Sequence, residues 1–68
     1  MEEDDIKKLI FGGRLKNLRQ EKRVKVKECI LKIGCSARTW HRWENGVSSP
    51  ISVYKPKLLE VFPELGDF

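Results

Sequence analysis

The sequence is short of most features that mark membrane, secreted or catalytic chains. No apolar run approaches the roughly 20 residues a membrane span needs, so a membrane partner is not expected. The chain starts Met1-Glu2-Glu3-Asp4-Asp5, the wrong charge for a secretory signal, and a cytoplasmic setting is the expectation. Only two cysteines occur, Cys29 and Cys35, and they do not form a Cys-x-x-Cys pair. They read as small buried thiols; a metal site of Cys29, Cys35 and His41 lacks a fourth ligand at any usual spacing. There is no phosphate-cradling glycine loop, nucleophile elbow, metal-binding helix motif or paired carboxylate constellation. With 68 residues there is room for one domain and little room for a pocket. The expectation is a non-enzyme with no cofactor, no metal and no small-molecule substrate.

What is present is charge, unevenly placed. The net charge is +4, yet residues 14–42 hold ten Lys or Arg against only Glu21 and Glu28. The first five residues hold four acids, and residues 60–68 hold three more with no base. A basic middle between acidic ends suits a polyanion on one face, although a solvated charged surface has the same composition.

Apolar spacing predicts an all-α fold, a small bundle of four to five helices with no strand. Phe11, Leu15 and Leu18 recur at i, i+4 and i+7 on a first helix reaching about Lys22. Ile6, Leu9 and Ile10 are candidates to extend that apolar face upstream, with Asp4 or Asp5 as cap. Gly12-Gly13 leaves the start of this helix open. A second helix over 26–33 shows Cys29, Ile30 and Ile33 on one face and stops at Gly34. Ser36 caps a third, which runs to Asn45-Gly46. After a loop over 47–53, a last helix starts near Tyr54, carries Pro56 in its first turn and ends at Pro63. The division read from this is an acidic, partly helical extension over 1–10, a helix-turn-helix domain over 11–62, and a tail over 63–68 too short to form a packed element.

Two short helices joined at Gly34-Cys35 must cross steeply, which lets one protrude into a major groove. With Trp40 set inward and about 100° per residue, Trp43 and Glu44 fall beside it, as do Ser36 and Ala37 one turn earlier. Arg38 and Arg42 fall on the opposite side, flanked by Thr39, His41 and Asn45. Arginine offers paired donors matching guanine O6 and N7, or clamps a phosphate; a solvated face is the plainer reading. Trp40 and Trp43 read as core, the alternative being a stacking platform for single strands.

The pattern Leu15-x-x-Leu18-Arg19, then Ile33-Gly34-Cys35-Ser36-x-x-Thr39-Trp40-x-x-Trp43-Glu44-Asn45-Gly46, resembles the lambda-repressor-like, Cro-type (XRE) helix-turn-helix regulators. The resemblance covers about residues 11–62. It implies an ion pair between Arg19 and Glu44, base and phosphate contacts from Ser36, Ala37, Arg38 and Arg42, and a phosphate grip at Lys25 to Lys27. Thr39 and His41 join the DNA-binding candidates from their place beside the arginines. The implied function is sequence-specific binding of double-stranded DNA by a transcriptional regulator of phage or mobile-element type. A homodimer on half-sites about 34–36 Å apart is the expected assembly. The chain departs from the family at Lys25, where a capping Ser or Thr is usual, and at Ile30, where a small residue is usual. It also lacks the fifth helix that often makes the dimer contact. Residues 36–43 are similar as well to the recognition helix of excisionase or MerR-like proteins, which continue into a strand wing. A protein-interaction or antitoxin-like module of the same fold is the remaining alternative.

Overall fold

A computed structural model describes residues 3–66; residues 1–2 of the acidic extension and 67–68 of the tail lie outside the described residues. Helix α1 spans Glu3–Glu21 without interruption. Glu3, Asp4 and Asp5 occupy its first turn, where carboxylates complement the helix dipole. Gly12 does not weaken α1 but permits its packing. A Cβ there would run into the carbonyl oxygen of Trp43 and come within 2.8 Å of that of Glu44. The end of the third helix crosses α1 backbone to backbone at this point.

Phe11 and Leu15 are buried and Leu18 packs against them. Ile6, Leu9 and Ile10 do not extend that face, contrary to the sequence expectation; all three are exposed. Helical phase explains the difference. The face of Phe11, Leu15 and Leu18 continues upstream through Lys8 and Asp4, which leaves Ile6 and Ile10 on the far side.

Helix α1 ends in a Schellman motif. The Arg23 amide donates to the Gln20 carbonyl at 3.1 Å and the Val24 amide to the Arg19 carbonyl at 3.0 Å. Arg23 takes the left-handed conformation, φ 56°, that glycine usually fills. Helix α2, Val26–Ile33, starts at Lys25 with no side-chain cap and stops at Gly34, φ 82°. It buries Cys29 and Ile33, and Ile30 is half-buried against the core.

Helix α3, Ala37–Glu44, is capped by Ser36, whose Oγ accepts from the Thr39 amide at 3.1 Å. It ends in a second Schellman motif, with Gly46 bonded to Trp43 and Val47 to Arg42. A 3-10 turn, Ser52–Tyr54, leads into α4, Lys55–Val61, with Pro56 in its first turn.

Leu58 and Phe62 are buried from this end of the chain, and so is Leu65, on a second 3-10 turn, Pro63–Leu65. The segment read as a tail therefore contributes a core side chain. The Arg14 guanidinium holds it by donating to the Glu64 carbonyl at 2.7 Å, and the Lys22 ammonium by an ion pair with the Glu64 carboxylate at 2.8 Å.

Trp40 and Trp43 sit at the centre, edge to face with ring centroids 5.7 Å apart, between Phe62 on one side and Tyr54 on the other. Two indoles of this size bury about 150–250 Å² each, a large share of a core this small. Among the described residues there is no strand, and no helix is long and apolar enough to cross a membrane.

Candidate nucleic-acid interface

The interface is built on α2, the turn at Gly34 and α3. The turn works because Gly34 closes α2 in the left-handed region, donating to the Ile30 carbonyl at 2.8 Å, and Ser36 opens α3 two residues later. Cys35 lies buried between them and fixes the corner to the core. Burial raises the thiol pKa of both Cys29 and Cys35, so both stay protonated and act as apolar filling.

Helix α3 is fastened from behind. Arg19 Nε donates to Glu44 Oε2 at 2.6 Å and Arg19 Nη2 to Oε1 at 3.2 Å. Trp40 Nε1 donates to the same Oε2 at 2.8 Å. One carboxylate thus ties α1, the inner face of α3 and its last turn together. The hydrogen bond to Glu44 raises the Arg19 pKa, against the opposing effect of burial. The pair that the family resemblance implies is therefore a short bidentate bridge.

On the other side of α3, Arg38, His41 and Arg42 are exposed. Neither guanidinium has a hydrogen bond or ion pair within the described residues. Lys25 and Lys27 are likewise exposed and unengaged. Ser36 and Ala37 are exposed too, although the helical projection puts them on the Trp40 side. They stand in the first turn, beyond the reach of the core. Thr39 is half-buried and its hydroxyl accepts from Ser36 Oγ at 2.9 Å, so these two hydroxyls are partly committed to each other. The structure thus exposes Arg38, His41 and Arg42 on the outer side of α3, and Ser36 and Ala37 at its N-terminal end. Lys25 and Lys27 stand apart, at the start of α2.

Of the ten cations in residues 14–42, Arg14, Arg19 and Lys22 are spent on internal contacts, and Lys22 also lies over the Phe62 ring at 5.6 Å. The buried indoles leave no aromatic platform on α3 for stacking bases.

Sequence reasoning missed one part of this face. Gly46 reverses the chain, and Ser48 and Ser49 return beside Thr39 and Arg42, lining a groove of about 370 Å³ with Ile51 and Tyr54. The Asn45-Gly46 stop signalled the reversal, but loop composition carried no sign of its direction.

Comparison with known proteins agrees with this geometry. A family model described as a helix-turn-helix domain matches residues 10–60, most of the chain and all of α2, the turn and α3. No curated protein and no solved structure gives a match. The chain belongs to this family of helix-turn-helix domains, which is associated with XRE-like DNA-binding regulators.

Proposed function

We propose that the protein is a transcriptional regulator of phage or mobile-element type that recognises a specific duplex sequence by inserting α3 into the major groove. It acts in the cytoplasm, without catalysis or cofactor. The observation that carries this reading is the pair Arg38 and Arg42. They stand one turn apart, exposed and without a partner among the described residues, on a helix whose opposite face is locked by two buried indoles and a bidentate ion pair. Free guanidiniums on a rigid helix are suited to paired hydrogen bonds with guanine, worth about 1–3 kcal/mol of discrimination for each good pair. Ser36 and Ala37 at the helix start contribute short contacts to bases or phosphates, and Thr39 and His41 flank them. Lys25 and Lys27 supply phosphate contacts from α2, and Ser48 and Ser49 line the groove beside Arg42.

An excisionase or MerR-like reading requires a strand wing after the recognition helix. Here residues 45–54 pass through a turn into α4 instead. A protein-interaction module of the same fold differs on charge reversal of Arg38 and Arg42, which would leave a partner surface elsewhere untouched.

The test is binding to a randomised duplex pool at two salt concentrations, followed by sequencing of the bound fraction. One enriched short sequence, with affinity falling steeply as salt rises, is the expected result. Arg38→Glu with Arg42→Glu is expected to abolish the binding and leave helix content intact. Binding that survives the double reversal, or no binding at low salt, would overturn the proposal.

A further inference from the structure

The far side of α1 carries an apolar stripe that the fold covers only at Leu9, against the Gly46 backbone. Ile6, Leu9, Ile10 and Gly13 follow one another at i, i+3, i+4 and i+7, opposite the buried face of Phe11, Leu15 and Leu18. Ile6 is 44% exposed, Leu9 47% and Ile10 58%.

Two further observations say what covers this stripe. The first is Gly13. Its neighbour Gly12 is required by the close crossing with α3, but a Cβ at Gly13 would meet nothing within 4 Å. A glycine inside an exposed helix is disfavoured relative to alanine, and the monomer supplies no reason for it. A second helix lying close across α1 does. The second is charge. In an antiparallel pairing of two α1 helices centred between Leu9 and Ile10, Ile6 of one copy meets Gly13 of the other. Asp5 then lies on the same edge as Lys16, about 3 Å from direct register along the axis, twice by symmetry. Asp5 and Lys16 are both exposed and neither has a partner among the described residues.

We infer that this stripe is the surface on which a second copy of the chain docks, α1 antiparallel to α1, with Gly13 as the point of close approach. The inference stands on α1 alone and does not depend on the DNA-binding reading. A contact between two helices over about three turns stays below the roughly 1,200 Å² that separates weak from stable interfaces. The dimer is therefore a weak one, populated at high concentration.

Sedimentation equilibrium from about 10 micromolar to about 1 millimolar covers the range in which such an interface associates. Concentration-dependent dimer is expected. Ile10→Lys is expected to raise the dimer Kd at least about tenfold, with helix content unchanged because the position is exposed. Lys16→Glu should weaken the dimer by setting two acids together, and Asp5→Lys combined with Lys16→Glu should restore it. A monomer at every concentration overturns the proposal, and so does a dimer indifferent to Ile10→Lys, which would place the partner on another face. A double variant no better than Lys16→Glu alone overturns the antiparallel pairing.

Discussion

Replacing Glu44 by alanine is the sharpest test of how this small domain is held together. The carboxylate is 6% exposed and its partner, Arg19, 16%. Between them run two hydrogen bonds, and Trp40 Nε1 adds a third to the same group. Alanine removes all three acceptor contacts and strands a guanidinium and an indole N–H at the α1–α3 junction.

Breaking a buried pair by deleting one partner costs about 3–5 kcal/mol. The edge of Arg19 reaches solvent, so the lower end applies, about 3 kcal/mol. A domain of this length has roughly 3–10 kcal/mol of stability in all, so the loss is a third or more of it. In urea, with a slope near 1 kcal/mol/M, the midpoint should fall by about 3 M. The fluorescence of Trp40 and Trp43, both buried, reports the transition. Glu44→Gln keeps an acceptor for the indole but not the charge, and should lie between wild type and alanine. A Glu44→Ala midpoint within about 0.5 M of wild type would show that the bridge contributes little and that apolar packing alone sets the angle of α3.

Other consequences of the structure are open to measurement. Gly12→Ala should destabilise by about 1–3 kcal/mol, because the added methyl meets the carbonyls of Trp43 and Glu44 and forces the helices apart. At dilute, monomeric concentration Gly13→Ala should stabilise by up to about 1 kcal/mol, so thermal melts of the two variants should move in opposite directions. Arg23→Gly relieves a left-handed conformation that costs about 1–2 kcal/mol, partly offset by a more flexible unfolded chain, for a net gain of about 0.5–1 kcal/mol in urea melts. The Lys22 ammonium hydrogen-bonded to Glu64 holds that carboxyl below its ordinary value of 4.5. A lowered folded-state pKa contributes stability above pH 4.5 that is lost as pH falls through the folded value. Glu64→Gln should therefore flatten the acid side of the stability profile, and an unchanged slope would mean that the bridge is absent in solution.

Much of the fold was open to sequence reasoning because its signals are local. A cap at Ser36 and stops at Gly34 and Asn45-Gly46 depend on a few neighbouring residues, and α2 and α3 lie where those signals put them. With Trp40 set inward, the 3.6-residue period put Trp43 beside it and Arg38 and Arg42 outward by simple projection, as the structure has them. The Arg19–Glu44 bridge spans 25 positions and no period reveals it; it was accessible only through the resemblance of the whole pattern to a family. Arg23 gave no warning of its positive φ, since nothing in its residue type marks it for that conformation.

By itself, then, the sequence determined the helices, their ends, the all-α class and which side of α3 carries arginine, because capping, turn chemistry and helical phase act within about one or two turns. Only the tertiary structure decided where distant segments meet. It set Gly12 under the end of α3, returned Leu65 to the core through Arg14 and Lys22, and turned Ile6, Leu9 and Ile10 away from it. It also divided the cations into those that hold the fold and those left facing outward. Each of these outcomes depends on how close two helices can approach and which partner lies opposite, a matter of three-dimensional packing that no stretch of neighbouring residues records.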